Sequence, residues 1–299
     1  MVEIGIGQEN RIDGSTAGSR GRLRSKFREL RARGEAALIP FIVAGDPDMD
    51  TTRKLVLELE ARGADLIELG VPFSDPMADG PANQRASARG LGAGASLAAI
   101  LSMVSELRVQ TQIPLILFGY YNPIFHYGCD RLCADAARAG IDALLVVDLP
   151  PEESGELKKP ARANGIDLIY LLAPTTPIDR SRAIARSASG FLYYVSVTGV
   201  TGARAHLDTG IAEHMREIRS VTDLPIGVGF GISTPEQAAE VGTMADAVVV
   251  GSAISLLIEE HAKSGDAPEA VGGLVAAMKD AMKSARRTEQ MPAAENSDG

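Results

Sequence analysis

Eight short apolar runs recur along this chain, and most alternate with segments that have the spacing of an amphipathic helix. The runs are AALIPFIVA (36–44), ADLIELG (64–70), PLILFGY (114–120), DALLVVDLP (142–150), DLIYLLAP (167–174), FLYYVSV (191–197), PIGVGFG (225–231) and DAVVVGS (246–252). Near-continuous hydrophobicity is typical of strands buried on both faces, as in an all-parallel sheet. Strands that alternate with helices indicate repeated βα units, and eight of them favour a closed barrel over an open Rossmann sheet. We therefore predict an α/β fold, a (β/α)8 TIM barrel.

An extra helix is predicted before the first strand. Leu23, Phe27 and Leu30 fall at i, i+4 and i+7, which gives one apolar face. The basic residues around them would also suit RNA or membrane binding, but a solvated face on a helix that covers the barrel bottom is the simpler interpretation. Spaced apolar residues in 271–282 predict a final amphipathic helix. One barrel domain then spans 21–285, and the polar segments 1–20 and 286–299 are predicted to be disordered.

Composition narrows the class of protein. The chain has 299 residues, of which 45 % are hydrophobic and 23 % charged, which fits a globular protein of about the size of one barrel enzyme. A formal charge of −9 disfavours a nucleic-acid partner, which would require a basic face. No apolar run is long enough for a membrane span, and no signal peptide is evident, so we expect a cytoplasmic protein.

Two cysteines raise the question of a metal site. Cys129 and Cys133 lie close to His126 in the segment HYGCDRLC. Zinc sites need three or four ligands, and no fourth candidate lies nearby in sequence. Two cysteines are also too few for a disulfide scaffold. We therefore interpret them as packing residues and predict no metal site.

Carboxylates stand where a barrel places its chemistry, at the C-terminal ends of strands. Glu68 is the last full residue of the second predicted strand, and Asp75 and Asp79 follow in the loop of ELGVPFSDPMADG (68–80). A carboxylate on a buried strand has a raised pKa, which suits a general acid or base near neutral pH. The alternative for Glu68 is a structural carboxylate bonded to loop amides. Asp75 and Asp79 have the alternative of turn or capping residues.

Glycine-rich turns follow the last three predicted strands. They are Gly199 to Gly202 after strand 6, Gly229 to Gly231 after strand 7, and Gly251-Ser252 after strand 8. Turns after strands 7 and 8 commonly bind phosphate in barrels through backbone amides and a helix N-terminus. Their joint placement predicts a phosphorylated substrate.

Several reaction classes lack their required residues. No lysine ends a predicted strand, as a Schiff-base aldolase would need, and the four histidines are scattered. No serine lies in a G-x-S-x-G elbow. The residues alone thus favour acid–base chemistry by carboxylates on a phosphate ester, without a cofactor.

The motif ELGVPFSDPMADG, followed by Pro81 and Gln84, closely resembles the signature of tryptophan synthase alpha subunits. The segments FIVAGDP (41–47), SVTGVTGAR (196–204) and VGFGISTPEQA (228–238) also resemble that family, in the same order, from about residue 22 to 284. The resemblance implies cleavage of indole-3-glycerol phosphate to indole and glyceraldehyde 3-phosphate. It implies that Glu68 is the acid–base residue and that Asp79 accepts a hydrogen bond from the indole N–H.

The same resemblance implies residues that hold the substrate. Tyr193 would lie near the glycerol moiety, and Thr201 would lie in a loop that closes over the site. Plain packing remains the alternative for Tyr193 and for the positions that would line the indole pocket: Phe41, Phe118, Leu145 and Phe230. The phosphate would be bound by Gly202, Gly231, Gly251 and Ser252.

A protein partner is implied as well. Members of the family work with a beta subunit that carries pyridoxal phosphate and receives indole through a channel, in an expected α2β2 tetramer. The loops with Asp75 and 199–204 would face that subunit, and Pro72 and Asn122 match interface positions. This chain itself would need no cofactor.

One departure from the family pattern concerns the pocket. Val43 stands where many relatives have a threonine, and we expect the missing hydroxyl to have lain inside the pocket near Asp142. Met244 replaces a usual glycine between strands 7 and 8.

Three rival functions remain at this stage. One is a free-standing lyase that releases indole without a partner. Another is a non-catalytic barrel that binds phosphate and regulates a partner, against which the retained Glu68 and Asp79 argue. The third is another phosphosugar-binding barrel, for which the signature loop has no explanation.

Overall fold

The computed structural model describes residues 21–196, 210–229 and 231–290. Its eight strands pair in parallel, each with the next, and the eighth closes on the first. The strands are β1 (Ala37–Val43), β2 (Ile67–Gly70), β3 (Leu115–Gly119), β4 (Ala143–Val146), β5 (Asp167–Leu172), β6 (Leu192–Val195), β7 (Ile226–Gly229) and β8 (Ala247–Val250). The predicted (β/α)8 barrel is confirmed.

Helices surround the barrel on its outer side. Those in the described residues are α1 (Arg22–Ala32), α2 (Met49–Ala61), α3 (Pro81–Gly92), α4 (Leu97–Leu107), α5 (Tyr121–Tyr127), α6 (Cys129–Ala139), α7 (Gly155–Ala163), α8 (Ile178–Ser187), α9 (Gly210–Arg219), α10 (Pro235–Met244), α11 (Ser252–His261) and α12 (Ala267–Gln290). Two of them, α3 and α4, follow β2, and the loop of residues 71–80 connects β2 to α3.

Every predicted apolar run contains one of the strands. The runs lack alternation because residues of both faces are buried, as in β1, β2, β4, β7 and β8, where every residue is buried. Outward side chains pack against the helices in one large cluster, and inward side chains fill the barrel in a second. The hydrophobic content of the runs is thus explained by burial on both faces.

The predicted N-terminal helix covers the bottom of the barrel. Leu23, Phe27 and Leu30 of α1 are buried and belong to the cluster inside the barrel. The ring of Phe27 lies 5.6 Å from that of Phe191 on the neighbouring strand end. Since its apolar face is occupied in this way, α1 does not present that face to a membrane.

Ionic contacts join this helix to the strand starts. Arg22 donates from Nε to Asp142 Oδ1 at 2.9 Å, and Arg108 donates to Asp142 Oδ2 at 3.1 Å. Asp142 directly precedes β4, whereas Val43 ends β1 at the opposite end of the barrel. The expectation that a hydroxyl at position 43 would lie near Asp142 is therefore wrong.

The final helix is fastened to the same end of the barrel. Lys279 is buried and donates to Asp65 Oδ2 at 2.7 Å. Arg286 donates to the backbone oxygens of Gly34, Gly242 and Ala245. The helix α12 extends to Gln290, so the segment predicted to be disordered from 286 begins within a helix.

Among the residues described, one bent pair of helices has the length and composition of a membrane span. No single helix there is long and apolar enough to cross a membrane. The helices α3 and α4 meet the criteria of length and composition only together, with a bend of 89° between them.

The role of α1 can be tested by Phe27→Ala. Removal of a buried aromatic ring is expected to lower the free energy of unfolding by about 3–5 kcal/mol. The matched control is Arg28→Ala, an exposed neighbour on the same helix, for which a change within about 0.5 kcal/mol is expected. Urea denaturation measures both values. Equal stability of the two variants would show that α1 is not part of the cooperative core.

Candidate active site

Glu68 is a buried carboxylate without a complete set of partners. It lies on β2, in register with Phe41 on one side and Ile116 on the other, and its side chain faces the cavity at the barrel mouth. Only 1 % of the residue is exposed, and its Oε1 atom has no hydrogen-bond partner among the described residues. Burial raises the pKa of Glu68 from its ordinary 4.5 to about 8. The alternative of a structural carboxylate fully bonded to loop amides therefore does not describe Oε1.

Asp79 is held by a hydrogen bond from a neighbouring strand end. The hydroxyl of Tyr120, which follows β3, donates to Asp79 Oδ2 at 2.7 Å and accepts from the amide of Ala78 at 3.0 Å. Asn83 on α3 lines the same cavity. Partial burial raises the pKa of Asp79, and the neighbouring side chains of Tyr120 and Asn83 oppose that rise. The carboxylate is thus oriented at the cavity by a neutral donor.

Tyr193 on β6 faces the two carboxylates. Burial raises the pKa of its phenol well above the ordinary 10.0, and the nearby Glu68 and Asp79 raise it further. The phenol therefore stays neutral and remains a hydrogen-bond donor. Room for it is made by Gly229 on β7, where a Cβ atom would lie 2.1 Å from the Tyr193 hydroxyl.

One cavity contains these groups. It has a volume of about 190 Å³, and two phenylalanines form part of its wall. The rings of Phe41 and Phe118 meet edge to face with centroids 4.9 Å apart. The described lining residues are Phe41, Glu68, Ala78, Asp79, Gly80, Asn83, Phe118, Val147, Leu171, Tyr193, Val195, Gly231, Ile232, Val249, Gly251 and Ser252. Flat apolar walls with a few convergent polar groups suit an aromatic ligand.

The predicted phosphate turns lie at the same cavity. Gly231, with a backbone φ of 79°, adopts the left-handed conformation that favours glycine. The N-terminus of α10 is covered by its own capping box between Thr234 and Gln237. By contrast, α11 begins at Ser252 after Gly251, which offers no capping side chain. Ile254 and Ser255 donate their amides to the Gly251 oxygen, which leaves the amides of Ser252 and Ala253 as those that an anion could use.

Four of the predicted substrate residues are not among the described lining residues of this cavity. Thr201, Gly202 and Phe230 lie outside the described residues. Leu145 is fully buried inside the barrel and does not line the described cavity. The wall position on this strand belongs to Val147, two residues further on and on the same face. Leu145, expected to line the indole pocket, thus lies one pleat below the residue that lines the described cavity.

Sequence reasoning missed Tyr120 and Asn83. Tyr120 ends the third predicted run, so a polar aromatic at a strand end was a usable signal. Asn83 gave no such signal, because its place at the cavity depends on how α3 packs. Its Oδ1 accepts a hydrogen bond from Ser255 Oγ on α11 at 2.8 Å.

The predicted interface residues differ in accessibility. Asp75 and Asn122 are both exposed, Asp75 in the loop after β2 and Asn122 at the start of α5, which follows β3. Asn122 lines a shallow groove of about 640 Å³ that also contains Phe125, a ring with 61 % exposure. Pro72 is instead buried beside Gly90 of α3. Pro72 packs against α3, so residues of this chain cover it.

The cysteines do not gather metal ligands. Within the described ranges, no group of three or more His, Cys, Asp or Glu side chains is placed to hold a metal ion. Cys133 is buried in the core, and Cys129 Sγ lies 3.7 Å from the hydroxyl of Tyr121.

Known proteins resemble this chain over nearly its whole described length. The family model described as tryptophan synthase alpha chain matches residues 27–285. The tryptophan synthase alpha chain of Citrifermentans bemidjiense is 57 % identical over 258 residues, which are 86 % of this chain and 96 % of that protein. The corresponding protein of Geobacter sulfurreducens is 49 % identical over 87 % of this chain and 98 % of its own length.

Solved structures agree with these relatives. Tryptophan synthase subunit alpha of Legionella pneumophila superimposes with a TM-score of 0.82 at 39 % identity, covering 88 % of this chain and 98 % of that one. A chain of Mycobacterium tuberculosis tryptophan synthase gives a TM-score of 0.80 at 32 % identity, covering 87 % and 98 %. With its fold, its signature loop and its relatives in agreement, this chain belongs to the tryptophan synthase alpha chain family.

Proposed function

We propose that Glu68 and Asp79 share the cleavage of indole-3-glycerol phosphate to indole and glyceraldehyde 3-phosphate. As a member of the tryptophan synthase alpha chain family, the protein is a lyase of this reaction. The division of roles rests on one observation above all. Glu68 is buried at the cavity, one of its carboxyl oxygens has no hydrogen-bond partner in the described part of the chain, and its pKa is raised to about 8.

The first step uses the acid form of Glu68. At neutral pH a carboxyl with a pKa near 8 keeps its proton, so it can donate that proton to C3 of the indole ring. The ring then becomes an electron sink. Once ionised in an apolar site, the same carboxylate is a strong base. It accepts the proton of the adjacent glycerol hydroxyl, the C–C bond breaks, and its electrons restore the aromatic ring as the aldehyde leaves.

Asp79 stabilises the charge that develops in this step. A carboxylate that accepts the ring N–H opposes the positive charge on the ring nitrogen, an effect of about 3 kcal/mol for one preorganised partner. Tyr120 already holds the carboxylate in place, so little reorganisation is needed. Two carboxylates in different surroundings thus take different roles.

The rest of the cavity fits the two ends of the substrate. Phe41 and Phe118 supply flat walls for the indole ring. Gly231, Gly251 and Ser252 lie at the same cavity, where backbone amides and the uncapped start of α11 suit a phosphate. We assign Thr201, Gly202 and Phe230 to the same substrate by family resemblance. Tyr193 would donate to the glycerol portion, since its phenol stays neutral.

The partner is a beta subunit, as the name of the family implies. We extend this to an α2β2 tetramer in which pyridoxal phosphate is bound by the beta subunit and this chain binds no cofactor. The exposed Asp75 and Asn122 lie on the rim of the barrel mouth, which supports a docking face there.

Glu68→Gln tests the acid–base role. The amide cannot donate and then accept a proton, so we expect kcat for indole formation to fall by about a thousandfold, within the range of general acid–base catalysis. Substrate binding, measured by calorimetry, should change little because the side chain keeps its size. The control is Glu106→Gln on the surface of α4, expected to match the wild type. Wild-type turnover in Glu68→Gln would remove the proposed mechanism.

The same variant tests the raised pKa through stability. A carboxyl whose folded pKa exceeds its unfolded pKa stabilises the fold at low pH and loses that contribution as the pH rises to about 8. Glutamine does not titrate, so the stability of Glu68→Gln does not fall in this way as the pH rises. Its free energy of unfolding, relative to the wild type, should therefore increase by about 3 kcal/mol from low pH to pH 7. A difference that stays constant with pH would contradict the shift.

Gly231→Asp tests the phosphate site. A negative charge at this turn should repel the phosphate and raise KM by at least about tenfold. The matched control is Gly231→Asn, because asparagine has the same size and also tolerates the positive φ. Steady-state kinetics on both variants separate charge from shape. Equal KM values would place the phosphate elsewhere.

Addition of the cognate beta subunit tests the partner against the rival of a free-standing lyase. We expect a large increase in the rate of indole-3-glycerol phosphate cleavage and a particle with the mass of two alpha and two beta chains in light scattering. An unchanged rate together with separate species in solution would support the free-standing enzyme.

A further inference from the structure

A second cavity lies at the bottom of the barrel, the end opposite the active site. It forms where the segment 34–36, just before β1, meets the final helix α12, and its volume is about 230 Å³. The described lining residues are Arg33, Gly34, Glu35, Ala36, Lys279, Met282, Lys283 and Arg286. One ordered water molecule needs only about 10–15 Å³ of such space. The cavity therefore has room for a small polyatomic ligand.

Positive charge predominates in the wall of this cavity. Among the described residues, two arginines and two lysines line it against a single carboxylate, that of Glu35, although the whole chain has a formal charge of −9. Glu35 is shared, since its oxygens lie 3.5 Å from Arg33 Nε and 3.8 Å from Lys279 Nζ. Glu29 also pairs with Arg33, and Asp65 with Lys279, but neither carboxylate lines the cavity. The space itself is thus bordered by an excess of cations.

Two of these cations are held in place by the fold. Lys279 is 4 % exposed, and its Nζ donates to Asp65 Oδ2 at 2.7 Å and to the backbone oxygen of Ala36 at 3.3 Å. Arg286 donates to three backbone oxygens at 2.7–3.0 Å. Carbonyl oxygens have no net charge, so these three bonds fix the guanidinium without neutralising it. Preorganised cations can bind an anion with little further loss of side-chain freedom.

The other two cations are accessible and belong to different elements. Lys283 is exposed on α12, one turn after Lys279, and its side chain forms no ion pair within the described residues. Arg33 follows the last residue of α1, and 48 % of its side chain is exposed. A ligand that accepts hydrogen bonds from both side chains would join the end of α1 to α12.

We propose that this basic cavity binds a phosphate group, as the free ion or as a small phosphate ester, at a site separate from the active site. The fork of arginine and the ammonium of lysine are the groups with which proteins bind phosphate oxygens. A cleft lined by one sign of charge concentrates counter-ions of the opposite sign. The dianionic charge of phosphate matches the excess of cations, whereas one carboxylate is too few for a metal ion.

The test is a titration of the full chain with inorganic phosphate, followed by NMR of the nitrogen-15 labelled protein. Chloride keeps the ionic strength constant, so that general screening does not change. The amide signals of residues 34–36 report on the basic cavity, and those of Gly251 and Ser252 report on the active site. One experiment thus separates the two sites and needs no catalytic turnover.

We expect the signals of residues 34–36 to shift with saturation at millimolar phosphate. Lys283→Glu replaces an attracting charge by a repelling one, so the dissociation constant at this cavity should rise by at least about tenfold. The matched control is Lys263→Glu, the same charge reversal at an exposed lysine outside the cavity, and it should keep the wild-type dissociation constant. Both variants should cleave indole-3-glycerol phosphate at the wild-type rate, because neither residue lies at the active site.

Shifts of residues 34–36 that stay linear in the wild type, or wild-type affinity in Lys283→Glu, would overturn the proposal. An equal loss in Lys263→Glu would do the same, since overall charge alone would then explain the binding. If Lys283→Glu does not fold, Arg33→Gln takes its place and should weaken binding by about fivefold. Titration with glycerol 3-phosphate identifies the source of the phosphate group. Matching shifts would support a site that admits an ester, and shifts with inorganic phosphate alone would support a site for the free ion.

Discussion

Burial of one carboxylate on a barrel strand is the constraint on which the rest of this site depends. Glu68 is 1 % exposed and its Oε1 has no partner among the described residues. A buried, incompletely bonded carboxylate is costly as an anion and far less so as an acid. The fold accommodates it because β2 is paired on both sides and cannot move to expose the side chain. The same rigidity fixes the position of the carboxyl group against the substrate.

The surroundings of the second carboxylate, Asp79, favour its charged form. Asp79 lies in a loop and on the cavity rim, where Tyr120 donates to it. One carboxylate thus has an oxygen without a partner among the described residues and keeps its proton, while the other accepts a hydrogen bond that favours its charged form. The difference arises from their places in the barrel, a strand interior for Glu68 and the start of a helix for Asp79.

The fold and the central residues could be predicted because their signals are local. The eight runs are nearly continuous in apolar residues, since strands of a closed barrel are buried on both faces. Glu68 is conspicuous because it is an acidic residue inside one of these runs. Leu145 was placed in the wall by resemblance to the family, and apolar residues near a strand end look alike in sequence. Only the register shows that Val147 lies one pleat higher.

Other features depended on packing between distant segments. Asn83 accepts a hydrogen bond from Ser255, which lies 172 positions further along the chain, and no pattern within α3 predicts that contact. Pro72 was predicted at the interface, yet it is buried beside Gly90, because the path of the loop after β2 is set by α3. Asp142 was placed near the pocket although it precedes β4 at the barrel bottom, where Arg22 and Arg108 bind it.

The most direct test of the central claim is a titration of Glu68 itself. Glutamate labelled with 13C at the carboxyl group can be followed by NMR as the pH changes, and the Glu68 signal is identified by its loss in Glu68→Gln. The account predicts a midpoint near 8, far above the ordinary 4.5. A midpoint close to 4.5 would mean that Glu68 is ionised at neutral pH, and the first proton transfer would then have to come from another group.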